Sequence, residues 1–514
     1  MKLGEATVAW QQILGGGNVE TTPAALKTAG QTTFAAGHDP SVILTPQNTE
    51  QIVECVGVAR KFSIPLYTIS RGRNWGFGSK ACLRANAALV DLSSMDKIID
   101  FDDDLGTLRI EPGVTFAQVA EFLKQKKSRY FLPVTGGPAD GSVIGNALER
   151  GEAFGGGGDR AGETYDYQVV LGTGDIIETG YSRFQGAGAA AVRVARVHKR
   201  GVGANLSGLM EQSGFGIVTA ATVALEPLHE FTIFLTGEIG FGVDKLSTVS
   251  HALRSLVRES VIEPYALSIW NKCKILARDQ VCGDLDSAEL SADVLDHWSM
   301  SASITAPNAM MAEAKTRTAG LVLNTLLENS IATPDRDEQG TRIESPLSGA
   351  PDNRNLRSLY WRKASAPDGD QCDPDRDRCG ALWLCPVVPF SGKDIAVAAS
   401  IMTDTVVKHG FESNIGFHIV SERCLHGFLA LVYDRDIKGE DARAMACHDE
   451  VAGRLVNAGY LMYRQGLQGV PAMDDLPDGG CSDIITALKS AIDPDNIIAP
   501  GRYHGFRGAR PDGD

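Results

Sequence analysis

Three stretches of this chain place glycine where backbone chemistry would need it. Loop 70–79, SRGRNWGFGS, carries Gly72, Gly76 and Gly78 directly after the strand-like LYTIS. Amide N–H groups stripped of side-chain cover can converge there on a diphosphate. Two further loops, GGPADGSVIGN at 136–146 and GFGIV at 214–218, have the same character. One glycine-rich turn is equally a structural turn; three that converge suit a single large dinucleotide. The spacing is not G-x-G-x-x-G and no G-x-x-x-x-G-K-[ST] occurs, so neither the nicotinamide Rossmann fingerprint nor a P-loop is present. Arg73 can add charge to the first loop or remain a solvated arginine. A second chemical stretch is FHIVSERCLHGFLALVYDR, 417–435. Read as one strand, its period of two puts His418, Glu422, Cys424 and His426 on a single face, which requires a polar neighbour.

Positioning these groups requires a particular set of elements. SVILTPQNTEQIVECVGVARKFSIPLYTIS reads as strand, helix and strand, a βαβ unit. Thr49 is placed to cap the helix, and Ile52, Val53, Val56 and Ala59 recur at helical spacing to face a sheet. YQVVLGTGDIIETG reads as a hairpin with Gly172 and Gly174 at its turn. Up to about residue 229 the pattern is α+β and glycine-rich. From 230 to 479 helices lengthen and glycines thin out, with a polar Pro/Asp-rich region at 333–378 that reads as surface loop. The sequence thus predicts two domains, 1–229 completed by 480–514, and 230–479. The run GGGGDR ending at Arg160 reads as a mobile loop.

Composition narrows the function. The 514 residues carry 64 acidic and 49 basic side chains, a formal charge of −15, which argues against a nucleic-acid or anionic-membrane partner. No apolar run approaches the ~18 residues a membrane helix needs. The N-terminus MKLGEATVAWQQILGGG lacks the basic and apolar regions of an export signal, so a cytoplasmic location is expected, with a periplasmic mature form left open. Ten cysteines without a C-x-x-C pair read as reduced thiols. Cys372 and Cys379 are spaced so that a loop disulfide is also possible. No metal site is expected.

The strings ISRGRNWGFGS, GGPADGSVIGNALERG, QSGFGIVT, the Tyr-Arg of GYLMYRQGL and DPDNIIAPGR resemble the flavoprotein family of vanillyl-alcohol oxidase, eugenol oxidase and the flavin subunit of 4-cresol methylhydroxylase. The resemblance runs from about 38 to 503 and is weakest over 230–380. It implies an α+β fold: a two-subdomain FAD-binding domain of the 4-cresol methylhydroxylase (PCMH) type plus an α+β cap domain for the substrate. FAD would lie with its pyrophosphate against Gly72, Arg73, Asn74, Gly76 and Gly78. Ser142, Gly145, Asn146, Gly216, Ile217 and Val218 would follow further along the cofactor. His426 matches a position from which the family can bond the flavin, so a covalent tether through His426 is one expectation and an ordinary strand histidine the other. His38 could assist attachment. Related flavoproteins use a histidine in the first glycine-rich loop, where this chain has Asn74.

At the substrate end the resemblance implies that Tyr463 and Arg464 grip a phenolic oxygen. It also implies that Asp140 stands near the flavin as a base or a plain turn residue, and that Glu422 lines the pocket. Trp383 belongs to a substrate-side strand, with a core role favoured. The family's third phenolate ligand is a tyrosine where this chain has Phe77, which cannot donate a hydrogen bond. The implied reaction is hydride removal from the benzylic carbon of a 4-alkylphenol or 4-hydroxybenzylic alcohol through a p-quinone methide. The alternative, prompted by Phe77, is oxidation of a non-phenolic alcohol or hydroxy acid. Oxygen or an electron-transfer protein such as a cytochrome would take the electrons, and dimers or larger assemblies are expected.

Overall fold

A computed structural model describes residues 2–35, 37–184, 193–285, 289–290, 292–470, 476 and 479–503. The end of the tail expected to complete the cofactor domain, 504–514, lies outside the described residues.

Strands Val42–Leu44, Leu66–Ile69 and Ala88–Asp91 pair in parallel, and Val19–Glu20 adds an antiparallel edge to make a four-stranded sheet. The crossover is helix Thr49–Phe62, which buries Ile52, Cys55, Val56 and Ala59 on one stripe. Asn48, not Thr49, is its cap: the Asn48 side chain accepts the Gln51 amide at 3.0 Å. Thr49 is already helical and donates its hydroxyl to Gln168 at 3.1 Å. Asn accepts an N3 amide as readily as Thr, and the residue further upstream captured the role. The tail returns to this sheet, with the Leu66 amide bonded to Ile497 and the Ala499 amide to Leu66, both at 2.7 Å.

A five-stranded antiparallel sheet follows, built from Ile98–Asp102, Thr107–Ile110, Gly216–Ala224, Thr164–Leu171 and Ile176–Glu178. Its last two strands form the predicted hairpin, and Gly174 at φ +92° supplies the left-handed turn residue. The GGGGDR run turns at Gly155 and Gly157 and buries Arg160 completely, so it is part of the packed structure.

The later half is organised by an eight-stranded sheet. Alternation along its strands decides what each face does. Leu267 and Ile269, Leu382 and Leu384, Ile415, Phe417 and Ile419, and Leu425, Leu429 and Leu431 join one core with helices Val243–Arg258, Gly392–Lys408 and Glu440–Asn457. Each such fully buried aliphatic side chain contributes about 1.5–3 kcal/mol. The intervening positions form the opposite face: Ser268, Trp270, Trp383, Gly416, His418, His426 and Phe428. That face is polar and aromatic, and most of it is turned toward the first two sheets.

Two expectations change here. The stretch 417–435 is not one strand but a hairpin, Asn414–Ile419 and Cys424–Asp434. The Ser421 hydroxyl accepts the amides of Arg423 and Cys424 at the turn. His418 and His426 do share a face, because they are cross-strand partners, whereas Glu422 falls in the turn. The Pro/Asp-rich region is not all surface: the 3-10 helix Asn353–Tyr360 buries Leu356, Leu359 and Tyr360.

Candidate active site

A cavity of about 440 Å³ runs between the sheets. Its walls at one end are Arg71, Gly72, Arg73 and Asn74, then Ser142, Gly145, Asn146, Gly216, Ile217 and Val218; at the other end stand Trp270, Lys274, Trp383, His418, Phe428, Tyr463 and Arg464. The three glycine-rich loops therefore do converge, and Tyr463 and Arg464 share their space.

The first end fits a dinucleotide. The amides of Gly72, Arg73 and Asn74 meet no protein acceptor among the described residues, as an anion cradle requires. Among the described residues Arg71 beside them faces no carboxylate and donates only to the carbonyls of Asp140 and Ser93, both at 3.3 Å. Asn146 Oδ1 is buried with no hydrogen-bond partner among the described residues, which points to a missing donor. A Cβ on Gly145 would meet the Ser142 and Ser70 hydroxyls at 3.2 Å. Gly76 and Gly78 serve packing instead and do not line the cavity: a Cβ on Gly76 would meet Trp383 at 2.1 Å, and one on Gly78 would meet Leu467 at 2.5 Å.

At the other end, Arg464 is held in place. Its Nη2 donates to Asn74 Oδ1 at 2.6 Å, its guanidinium lies 4.2 Å from the Phe77 ring centroid, and its buried Nε makes no hydrogen bond among the described residues, with Glu149 Oε2 at 3.9 Å. Asn74 thus anchors the arginine from within the first loop. The Tyr463 ring stacks on His426, with centroids 3.9 Å apart and planes within 5°, and meets Phe428 edge-on at 6.2 Å. Burial drives the Tyr463 hydroxyl well above its ordinary value, and the nearby Glu152 charge adds to the effect, so Tyr463 stays a protonated donor.

Several residues escaped the sequence reading. Glu149 lines the cavity and is gripped by Arg502 at 2.8 Å and the Tyr503 hydroxyl at 3.2 Å. Glu152 lies deeper, bonded by His418 Nδ1 at 2.9 Å and by His426 Nδ1. Burial works to raise its carboxyl, but the hydrogen bonds and charges of the two histidines prevail and hold it near 2. His418 Nε2 also faces the Tyr265 carbonyl at 2.8 Å. Both carboxylates sit in NALERGE, whose spacing matches no motif; only the fold aims them inward.

Other expected residues stand elsewhere. Asp140 is half-exposed and paired with Arg73 at 2.7 Å, outside the cavity wall. Glu422 pairs with its neighbour Arg423 at 2.7 Å and does not reach the cavity. His426 is not at the cavity wall either: Glu152 holds its Nδ1 and Tyr463 covers a ring face. His38 is exposed and bridges to Cys82. Trp383 does line the cavity. Cys372 and Cys379 are free thiols. Among the described residues no helix is long and apolar enough to cross a membrane.

Fold and site together define a flavin-dependent oxidoreductase with a cofactor-binding portion and a cap, and comparison with known proteins agrees. Residues 40–180 match the FAD binding domain family. The chain is 34% identical to 1'-carboxy-chondrochloren decarboxylase of Chondromyces crocatus, covering all of this chain and 99% of that one. It is 26% identical to the 4-cresol dehydrogenase [hydroxylating] flavoprotein subunit of Pseudomonas putida, over 91% and 88% of the two chains. A crystal structure of p-cresol methylhydroxylase with substrate bound superposes with a TM-score of 0.87 at 23% identity, over 99% and 98% of the chains. This chain belongs to the FAD-dependent PCMH-type oxidoreductase family that includes these proteins, and its cofactor is FAD.

Proposed function

We propose that this protein takes a hydride from the benzylic carbon of a para-substituted phenol. The observation that supports the reading is that Tyr463 and Arg464 line the same cavity as the glycine-rich loops, among the aromatic side chains Trp270, Trp383 and Phe428. A phenol with a pKa near 10 is mostly neutral at pH 7, and lowering that value by three units takes about 4 kcal/mol of preferential anion binding. Tyr463, kept protonated by burial, donates one hydrogen bond to the phenolic oxygen. Arg464, fixed by Asn74 and Phe77, supplies the positive charge and an Nε–H that makes no hydrogen bond among the described residues. In a site shielded from water these contacts act at low dielectric and are stronger than in solution.

Bound FAD supplies the two-electron acceptor, after which oxygen or an electron-transfer protein takes the electrons. Ionisation of the phenol pushes charge toward the para carbon, so loss of hydride leaves a p-quinone methide. Glu149, carried into the cavity on Arg502 and Tyr503, is the base that activates water for addition to that species. Asp140, paired with Arg73, is not on the cavity wall.

The Chondromyces relative is named a decarboxylase, and the same intermediate accounts for a second outcome. Where the carbon next to the benzylic one bears a carboxylate, the C–CO₂ bond can break into the quinone methide. Its electron pair forms the new C=C bond, the ring regains aromaticity as the phenolate, and CO₂ leaves without further oxidant.

The reading is tested by mixing the holoenzyme anaerobically with 4-ethylphenol or with its methyl ether. The phenol should bleach the flavin's visible absorbance and the ether should not. Bleaching by the ether, or by no para-alkylphenol at all, would discard it.

A further inference from the structure

The cations of the cavity wall sort by partner. Arg73 faces Asp140 at 2.7 Å, Arg278 faces Asp279 at 2.9 Å, Arg502 faces Glu149 at 2.8 Å, and Arg464 reaches the same Glu149 at 3.9 Å. Arg71 belongs to the phosphate cradle. Lys274 fits neither group. Among the described residues its ammonium has one polar neighbour, Asn414 Oδ1 at 3.5 Å, and otherwise packs over the rings of Trp383 at 5.2 Å and Trp270 at 5.5 Å. The residue is half-buried at the cavity wall, and desolvation pulls its ammonium down to about 8. A shielded ammonium without an anion is unfavourable unless something else supplies one.

Its location says what that something is. Helix Lys272–Asp279, capped by Asn271, sends the Lys274 stem across Gly416, where a Cβ would stand 2.8 Å from Lys274 Cδ. Gly416 pairs directly with Phe428, whose ring meets Tyr463 edge-on. Lys274, from its helix, and Tyr463 and Arg464, from the segment that follows helix Glu440–Asn457, thus line one space, with the Trp383 ring beside the lysine as a flat wall. Cys385 lies within electrostatic reach of both cations.

We propose that Lys274 receives a carboxylate on the para side chain of the substrate, so that a 4-hydroxyphenyl acid is bound in preference to the neutral alkylphenols that the site also turns over. This rests on the phenol reading above. The phenolic oxygen docks on Tyr463 and Arg464, the ring lies along Trp383, and the acid end meets the ammonium. A cation at each end of the substrate also fixes which face of its benzylic carbon is presented to the cofactor.

The test uses the holoenzyme and ligands without a saturated benzylic carbon: 4-hydroxycinnamate, its amide, and cinnamate, each titrated by calorimetry and by the flavin spectrum. The wild type should bind 4-hydroxycinnamate about tenfold or more tightly than the amide. Lys274→Met should bind acid and amide alike. Equal binding of acid and amide by the wild type, or an undiminished preference in K274M, overturns the proposal; the wild-type comparison decides even if the variant does not fold. Cinnamate bears on the other reading. If it binds as well as 4-hydroxycinnamate, the phenol contact is gone, whatever the acid and amide show.

Discussion

Arg464 stands with its guanidinium carbon 4.2 Å from the centroid of Phe77, so the residue found where the resemblance implies a tyrosine backs a cation of the cavity with a ring face instead of offering a hydroxyl. The aromatic face attracts a cation electrostatically, and more so when water is excluded. Under the proposed function Phe77 therefore acts on the substrate through Arg464.

Arg464→Ala should raise KM and lower kcat for para-alkylphenols, with kcat/KM falling about a hundredfold or more. Phe77→Ala should cost about tenfold, since it removes a contact of roughly 1–2 kcal/mol, while Phe77→Leu should not restore it. Steady-state kinetics of the three variants provides the check, and unchanged values for Arg464→Ala would remove it from phenolate binding.

His426 is engaged by Glu152 and covered by Tyr463 away from the cavity wall. His426→Ala should accordingly keep the same flavin-to-protein ratio as the wild type, and acid precipitation should behave identically in both. A flavin band on a denaturing gel that disappears in the variant would establish the tether and contradict this expectation.

Glu152 is depressed from 4.5 to about 2 by its two histidines. A lowered folded value means that its stabilisation is complete above the ordinary carboxylate range and is lost as pH falls toward 2. Glu152→Gln has no such titration. The Tm of the wild type should exceed that of E152Q by a few degrees near neutrality, and the gap should close between about pH 4.5 and 2. Thermal melts across that window would contradict the argument if the gap widened on acidification.

Gly76 combines φ +79° with a Cβ position only 2.1 Å from Trp383 Cδ1. Gly76→Ala should destabilise the protein by about 1–3 kcal/mol through backbone strain and overpacking, and should alter tryptophan emission in the native state. Urea unfolding followed by fluorescence measures both, and an unchanged midpoint would show that Trp383 yields freely.

What was readable in the residues was local. Helix Thr49–Phe62 announces itself by apolar spacing, the 164–178 hairpin by its glycines, and the cofactor end of the cavity by loops that expose amides. Each depends on conformations set within a few residues. Tyr463 and Arg464 were found through resemblance, and the cavity does contain them.

The rest depended on which strands became neighbours. Alternation fixes a residue's parity along its own strand but not the partner it will face, so His418 and His426 met through a hairpin rather than along one strand. Glu149 and Glu152 have no local signature, because a carboxylate becomes chemical only when burial and opposed cations surround it. Lys274 reads as an ordinary helix lysine until the sheet sets Gly416, Trp270 and Trp383 around its stem. Sequence determined which backbone can cradle an anion; packing of distant strands decided which side chains share its cavity, since that is set by long-range burial and not by spacing.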